Sequence, residues 1–314
     1  MSNFSISAQP PPYWDEVCAR NDLLFHSRAW IILLEASFHV RTQYIWDETA
    51  RCGGAVTSFS AGPFQLGYLG FPYGGVIGGG TLDDAVLDEW RSLRSQLLPV
   101  AIRIPASAFA EPVASRLSFD ATPETAIIDL PSWTLDVTSG NHRRDVKKAQ
   151  RSVLQVTDAN QAEEGARIFE IYLATVKRHR GGLRYNKAYF CNLIDLARSN
   201  PNLRVLLARL NDEIAGFTVV VRHGSVACYL HGGMHLEYRA YQPSTLLLNE
   251  AIAWAKGLGC ECFNLMSSPA DQPSLVWYKE KWGAETREHR TYTLPLRTSY
   301  RLFQVAERFY RLVR

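Results

Sequence analysis

The chain has 314 residues, of which 46% are hydrophobic and 21% are charged. This length is sufficient for two domains, and the composition is that of an ordinary globular protein rather than a fibrous or disordered one. The formal net charge of +3 is too small to indicate a nucleic-acid-binding protein by itself, and we expect no DNA partner.

The sequence contains no apolar run long enough to cross a bilayer, because residues 30–34 and 246–253, the best candidates, are short. The N-terminus also lacks the basic start and apolar stretch of a secretory signal. We therefore expect a cytoplasmic protein. Disorder is expected only in the first dozen residues, where Pro10, Pro11 and Pro12 cannot start a helix or join a sheet.

Six cysteines are spread along the chain without the density of a disulfide scaffold. Cys260 and Cys262 flank the start of a predicted strand, and no second pair or suitably spaced histidine completes a zinc site around them. We therefore expect core thiols and no metal ion.

The first half of the chain alternates between predicted strands and helices. A helix over 27–38 is followed by strands around 41–46 and 53–60. A glycine-rich stretch at 67–80 comes next, then a helix over about 82–98 and a strand near 100–104. This alternation predicts an α/β domain in which the glycines permit turns at the wall of a cleft.

A basic segment follows, with five fixed positive charges between His142 and Arg151. In a helix, four of these charges would share one broad face: Arg144, Lys147, Lys148 and Arg151. Such a face is either a solvated helix surface or a patch that contacts the phosphates of a nucleotide-linked or RNA-linked substrate.

The second half begins with two predicted helices and continues as an antiparallel meander. The helices cover 162–178 and 187–198, and the three strands cover 204–210, 214–222 and 225–231. A loop then leads to a helix for which Ser244 is the predicted N-cap and Gly259 the stop. The remaining predicted elements are a strand at 262–266, a helix at 274–282 and a strand at 287–296.

The C-terminal segment, residues 299–314, has the pattern of a basic amphipathic helix. We expect this helix to dock on its own protein, although a peripheral contact with a membrane is the alternative. Its apolar face comprises Leu302, Phe303, Ala306, Phe309, Tyr310 and Val313.

Several short motifs resemble the FemABX and BioF2-like branch of the GNAT superfamily. The segment from Tyr278 to Gly283 is similar to a Phe-Lys-x-x-Phe-Gly signature near the C-terminus of that family. The segment 25–30 is similar to its N-terminal motif, and 143–149 to its basic joining helix. A further pattern is similar over Tyr172–Arg178, Gly181, Gly182 and Tyr185.

The resemblance implies an α/β fold of two GNAT-like domains, each with a mixed, mostly antiparallel sheet. We expect an N-terminal acceptor-side domain at 1–140, a C-terminal donor-side domain at 141–298, and the terminal helix at 299–314, packed back on the first domain. The resemblance also implies transfer of an acyl or aminoacyl group to an amine, from aminoacyl-tRNA or from an acyl thioester such as acyl-CoA, with no permanently bound cofactor.

Aminolysis of such a donor needs a placed carbonyl, a proton acceptor and stabilisation of an oxyanion. The resemblance gives Lys279 the last of these roles, and Tyr278 beside it either packs or donates a hydrogen bond. His231 has a suitable intrinsic pKa for a base, although a histidine satisfied by neighbouring backbone is the other interpretation, and a reaction through water needs no protein base.

Donor-binding and acceptor-binding candidates follow from charge and position. Arg178, Lys147, Lys148 and Arg144 are candidates for phosphate. Ser244 starts a helix whose N-terminus attracts anions, and Ser267 either binds the donor or turns the chain. The candidates for the acceptor cleft are Tyr73, Tyr185 and Trp30.

Two departures from the resemblance affect the choice of substrates. Leu34 occupies the position at which the resemblance implies a lysine that meets a nucleotide-sugar acceptor. The segment from Arg239 to Ser244 also lacks the glycines of a CoA pyrophosphate loop. We therefore favour aminoacyl-tRNA as donor, with acyl-CoA or an acyl-carrier protein as the alternative and a non-catalytic binding module as a third interpretation.

Overall fold

The computed structural model describes residues 3–49, 52–78, 80–109, 117–178 and 182–313, with side chains as far as Glu307. The chain forms two compact units. Unit 1 combines residues 1–121 with 289–314, and unit 2 comprises residues 122–288. The domain boundaries expected from the sequence, at residues 140 and 298, lie further along the chain than the boundaries of these units, at residues 121 and 288. Gly181, Arg314 and the side chains of Phe309, Tyr310 and Val313 lie outside the described part.

Unit 1 contains a mixed sheet in the order β1-β2-β3-β4-β5, completed by the end of β12. Every neighbouring pair is antiparallel except β4 and β5, which are parallel. The strands are β1 (Phe4–Ser7), β2 (Arg41–Asp47), β3 (Cys52–Ala61), β4 (Phe64–Leu69), β5 (Ala101–Pro105) and β12 (Glu285–Pro295). The helices are α1 (Trp14–Arg20), α2 (Arg28–Ser37), α3 (Asp84–Ser92) and α9 (Tyr300–Val313).

The expectation of disorder in the first dozen residues is wrong for β1. Phe4 to Ser7 pairs antiparallel with residues 44–47 of β2. The Phe4 ring lies 6.0 Å from the Trp90 ring and is buried. Prolines 10–12 therefore restrict only the link between β1 and α1, and the apolar residue before them is sufficient to place a strand at the sheet edge.

Helix α2 begins where its sequence predicts, because Ser27 Oγ accepts a hydrogen bond from the Trp30 amide at 3.2 Å. Helix α3 is shorter than expected and ends at Ser92. The residues after it contact β2 instead, since the side chain of Gln43 donates to the Gln96 carbonyl and accepts from the Leu98 amide. Pro99 then excludes further helix.

Unit 2 contains a sheet in the order β6-β11-β10-β9-β8-β7, in which only β11 and β10 run parallel. The strands are β6 (Ser118–Ile127), β7 (Gln155–Asp158), β8 (Leu203–Leu210), β9 (Glu213–His223), β10 (Val226–Met234) and β11 (Cys262–Ser267). The helices are α4 (Gly140–Gln150), α5 (Glu164–Arg178), α6 (Lys187–Ala197), α7 (Pro243–Gly257) and α8 (Pro273–Glu280). The meander and its flanking helices confirm the predicted order.

Strands β10 and β11 pair over only three residues each, from Val226 opposite Cys262 to Cys228 opposite Asn264. A register shift then interrupts β10 between Tyr229 and His231. Beyond these pairs both strands continue without pairing to each other within the described residues. We call the space between residues 229–234 and residues 265–267 the β10–β11 opening.

The start of α7 differs from the prediction. Its N-cap is Gln242, in the left-handed conformation at φ 58°, and Pro243 is the first helical residue. Ser244 is therefore inside the helix and is not its cap. The Gln242 side chain donates through Nε2 to Asp145 Oδ1 at 3.3 Å, which connects this helix start to α4.

Helix α9 docks on unit 1, as expected for the C-terminal segment. Tyr300 and Phe303 are buried against a cluster of Leu66, Val100 and Ala101. Within the described residues, no helix is both long enough and apolar enough to span a membrane.

Candidate functional site

Lys279 is a buried lysine on α8 with a side chain that reaches the end of β11. It is 5% exposed. Its Nζ donates to the carbonyl oxygens of Met266 and Ser267, at 2.7 and 3.2 Å, and to Ser268 Oγ at 2.9 Å. An ammonium group has three N–H donors, so all three are used in this arrangement.

The two carbonyl groups face Lys279 because β11 is irregular at this point. Its register with β6 shifts between Asn264 and Ser267, and Met266 has a φ of 67°. Asn264 Oδ1 accepts from the Met266 amide at 2.6 Å, which satisfies a donor that the bulge removes from the ladder. A non-glycine residue in this conformation is strained and is often found at functional sites.

Burial lowers the pKa of Lys279 to about 8, and the carboxylate of Glu124 on β6 opposes this shift by favouring the ammonium form. Glu124 lies opposite Ser267 in the register of the two strands. Lys279 is therefore predominantly charged at neutral pH and loses its proton in the mildly alkaline range.

The pKa of Lys279 predicts how stability depends on pH. Because the folded-state pKa lies below the ordinary value of 10.5, the unfolded chain binds more protons between about pH 8 and 10.5, and this residue makes the free energy of unfolding rise with pH there. We expect this rise in the wild-type protein and not in Lys279→Met, as measured by urea unfolding at several pH values. In Glu124→Gln the rise should begin at lower pH, and an onset that does not move would contradict the assigned role of Glu124.

Trp282 anchors the end of the segment that carries Lys279. Its side chain is fully buried, its ring lies 4.4 Å from the His142 ring of α4, and its carbonyl oxygen accepts from Trp133 Nε1 at 2.7 Å. Tyr278 packs against the same core, and burial raises the pKa of its hydroxyl despite hydrogen bonds to Trp282 and Thr245. The structure thus favours packing for Tyr278.

His231 belongs to a second cluster, formed by aromatic residues of α5, α6 and β10. Its Nε2 lies 3.0 Å from the Tyr189 hydroxyl, and the Tyr185 ring packs 4.5 Å from its ring and 4.6 Å from that of Tyr189. Burial lowers the pKa of His231 to about 3 and raises that of Tyr189 well above its usual range. His231 is therefore neutral at physiological pH.

This environment corrects the expectation that His231 acts as a base. A group with a pKa near 3 is a weak proton acceptor at neutral pH. Of the two interpretations given above, the structure favours a satisfied buried histidine, with Tyr189 rather than the backbone as the partner.

The basic face of α4 lines a cavity of about 590 Å³. Arg144, Lys147, Lys148 and Arg151 surround it, together with Ser152, Val153, Ala240 and Tyr241. We call this cavity the basic cleft. Ala240 and Tyr241 lie just before the start of α7. The first helical residue, Pro243, has no amide N–H, and two of the next amides donate to the Gln242 carbonyl, so anion binding in the cleft depends on its side-chain cations.

The remaining candidates lie in different environments. Arg178 is exposed at the C-terminal end of α5, and Ser267 Oγ accepts from Thr122 Oγ1 at 3.1 Å. In unit 1, the Tyr73 ring packs 5.0 Å from the His289 ring. Trp30 is fully buried, with Nε1 donating to the Phe71 carbonyl at 2.8 Å, so the expectation that it contacts an acceptor is corrected to a core role.

The break after the predicted strand at 262–266 already indicates Ser268, together with Ser267, as a residue that either binds the donor or turns the chain. One residue of the Lys279 site, Glu124, has no assigned place in the predicted site. Glu124 lies in β6, a strand that the sequence pattern did not predict, because Pro123 and the polar residues around it have no alternation. The spacing of residues in the sequence also does not predict that Tyr189 is the hydrogen-bond partner of His231.

Comparison with known families identifies one domain. A family model described as an acetyltransferase (GNAT) domain matches residues 138–280. No curated protein matches the chain.

Solved structures match along nearly the whole chain. A crystal structure of FemX aligns with a TM-score of 0.65 at 12% identity, over 96% of this chain and 99% of that one. The C-terminal domain of a protein described as a lysylphosphatidylglycerol synthetase, from Agrobacterium fabrum, has a TM-score of 0.55 at 14% identity, over 89% of this chain and 92% of that one. A tandem GNAT protein from the clavulanic acid biosynthesis pathway has a TM-score of 0.51 at 12% identity, over 92% and 98%.

Residues 138–280 thus match a GNAT domain family, and the chain as a whole has the fold seen in FemX. The description of the matching family, an acetyltransferase domain, supports an acyltransferase activity for residues 138–280.

Proposed function

We propose that the chain is an N-acyl or N-aminoacyltransferase that moves a group from an activated ester or thioester to an amine. One observation carries this proposal: the ammonium group of Lys279 is buried at the end of β11, in a GNAT domain, where β10 and β11 separate. A fixed positive charge beside an opening of this kind can stabilise the negative charge that develops on a carbonyl oxygen.

The proposed reaction forms one bond and breaks one. The amine nitrogen attacks the donor carbonyl carbon, the carbonyl oxygen carries the transient negative charge, and collapse of the tetrahedral intermediate breaks the C–O or C–S bond. One proton passes from the attacking nitrogen to the leaving oxygen or sulfur. Because His231 and Tyr189 have unsuitable pKa values, this proton moves through water or between the substrates in our scheme.

Lys279 can act on the reaction in two ways. Its bonds to the Met266 and Ser267 carbonyls hold the irregular end of β11 in place. Its third bond is to the buried Ser268 hydroxyl, and in our scheme a donor carbonyl oxygen replaces that hydroxyl as the acceptor.

We propose that the donor binds through its phosphates in the basic cleft, and we favour aminoacyl-tRNA. Four cations over two turns of α4 present an extended positive face, which suits a chain of phosphates. The segment before α7 has no glycine cradle, and Gln242 and Pro243 occupy the helix start. The name of the lysylphosphatidylglycerol synthetase also refers to transfer of an amino acid.

An acyl-CoA donor is the second candidate, favoured by one specific observation: the matching domain family is one of acetyltransferases. The clavulanic acid pathway protein is likewise described in a form without acetyl-CoA. For either donor, the proposed acceptor is an amine of a cell-envelope precursor, a peptide or an amino sugar, with Tyr185 and Tyr73 as acceptor-binding candidates. A cytoplasmic location, where both donors are made, belongs to the same proposal.

The experiment that distinguishes the donors is a binding competition. Purified protein is titrated with a panel of charged tRNAs and with a panel of acyl-CoAs at two salt concentrations. Micromolar binding of charged tRNA that weakens steeply with salt supports the favoured donor. Selective binding of one acyl-CoA would replace it with the alternative.

We expect the double substitution Lys147→Gln with Lys148→Gln to weaken donor binding about tenfold or more at low salt, because it removes two cations from the basic cleft. For a tRNA donor the slope of log affinity against log salt should fall by about 1 for each lysine removed. Both quantities are measured by fluorescence anisotropy with labelled donor.

The matched control is Arg167→Gln with Arg198→Gln, which removes two exposed cations from α5 and its neighbour α6, outside the cleft. Equal weakening by both double variants would show that donor binding depends on total charge and would refute the placement of phosphates in the cleft.

A further inference from the structure

A second cavity with a strong positive charge lies in unit 1, outside the proposed catalytic site. Its volume is about 1010 Å³. Four of its twelve described lining residues are arginines and none is acidic. These arginines come from two parts of the chain, Arg91 and Arg94 from the end of α3 and the turn after it, and Arg297 and Arg301 from the start of α9 and the residues before it.

Three of these guanidinium groups are held in position by the protein. Arg91 pairs with Asp88 at 2.6 Å, Arg94 Nη1 donates to the Arg91 carbonyl at 3.2 Å, and Arg297 Nη2 donates to the Leu97 carbonyl at 2.8 Å. Each guanidinium has five N–H donors, so one such bond leaves several donors for an external anion. Planar, positioned guanidinium groups suit phosphate oxygens.

Helix α9 presents aliphatic side chains to solvent next to this cavity. Tyr300 and Phe303 are buried in unit 1, and Glu307 pairs with Arg103 at 3.5 Å. The opposite face of the same turns is exposed, with Leu302 at 66% and Val305 at 53%. Arg301 precedes Leu302 and is exposed with it.

This combination identifies the kind of partner. A cavity of this size is too large for a single phosphate ion. Its four arginines, of which only Arg91 pairs with a carboxylate within the described part of the chain, suit several anionic headgroups. Adjacent aliphatic side chains on an otherwise docked helix suit the boundary between headgroups and acyl chains. The aromatic ring lining the cavity, Tyr300, is 7% exposed, so it provides no stacking platform for nucleic-acid bases.

We infer that the surface formed by the arginine-lined cavity and the exposed face of α9 docks on a membrane that contains anionic phospholipid. In this arrangement the arginines contact lipid phosphates, and Leu302 and Val305 enter the headgroup region. The surface lies in unit 1, so this inference does not depend on the proposed transfer reaction in unit 2.

The test is co-sedimentation of the full chain with vesicles of phosphatidylcholine alone and of phosphatidylcholine mixed with phosphatidylglycerol. We expect binding only to the mixed vesicles, and release at high salt. Two double variants test the surface: Arg94→Gln with Arg301→Gln, and Leu302→Ser with Val305→Ser. Each should lower the partition coefficient for mixed vesicles, calculated from the bound fraction, by about tenfold.

Two controls have matched chemistry. Arg167→Gln with Arg198→Gln removes the same charge from unit 2 outside the basic cleft, and Ile32→Ser removes an aliphatic side chain that is 58% exposed on α2. Both should bind mixed vesicles as the wild type does. Circular dichroism melts confirm that all variants are folded.

Three outcomes would overturn the inference. The first is absence of binding to mixed vesicles. The second is wild-type binding by the Leu302 and Val305 variant together with inhibition by millimolar inorganic phosphate, which would indicate a soluble phosphate-bearing ligand. The third is equal loss in the Arg167 and Arg198 control, which would indicate attraction by net charge alone.

Discussion

Replacing Lys279 by methionine should lower the rate constant for acyl transfer by about 100-fold to 1000-fold, the range found when one donor to a developing oxyanion is removed. Methionine keeps most of the side-chain volume but removes the ammonium group that binds Met266, Ser267 and Ser268. Donor affinity should change little if phosphate binding occurs in the basic cleft. Single-turnover kinetics with saturating donor measures the first quantity, and equilibrium titration measures the second.

The matched control for this prediction is Lys281→Met, two residues further along the chain. Its Nζ lies 3.4 Å from the centre of the exposed Trp277 ring and not at the end of β11, so its loss should leave the transfer rate within a few-fold of the wild type. Wild-type activity in Lys279→Met would refute the mechanism. A protein that binds donor but shows no transfer with any amine would instead support the binding-module interpretation.

Trp282→Ala should have the largest effect on stability, lowering the free energy of unfolding by about 3–5 kcal/mol. The indole is fully buried, packs against His142 of α4, and belongs to the core that includes α7. Because Trp282 follows α8 by two residues, the loss should also loosen the segment that carries Lys279. Urea unfolding followed by circular dichroism measures the change.

Comparison with Trp277→Ala isolates the contribution of side-chain burial to the free energy of unfolding. This tryptophan lies in α8 itself, five residues before Trp282, and is 61% exposed, so its removal should change stability by only about 0.5 kcal/mol. Similar losses in the two variants would show that the cost comes from helix α8 itself and not from the packed indole.

The sequence predicted best the elements whose local signals agree with their packing. Ser27 caps α2, and the strands of the meander in unit 2 have long apolar runs bounded by turns, so both were placed within one to three residues. Strand β6 was missed because its first half is exposed and contains Pro123. Ser244 was misplaced as a cap because a left-handed Gln242 at a helix start has no sequence signature.

The site was predictable only in part, for a physical reason. A motif can single out Lys279, but burial, a bulged strand and the carbonyls of Met266 and Ser267 arise from contacts between distant segments. Trp30 and Trp277 illustrate the same limit, since one aromatic residue is fully buried and the other is exposed. Likewise, His231 is buried, which lowers its pKa, in a cluster that includes Tyr189, 42 residues away along the chain.

The discontinuous composition of unit 1 has a consequence for biosynthesis. Its sheet needs residues 291–295 of β12 beside β5, and its surface needs Tyr300 and Phe303 of α9, yet these residues are translated after all of unit 2. During synthesis, the N-terminal segment therefore waits with an unpaired β5 edge while unit 2, a continuous segment, can fold as soon as it leaves the ribosome. Nascent chains that stall before residue 289 would expose that edge to other chains, so the last strand to be made also protects the first unit from aggregation.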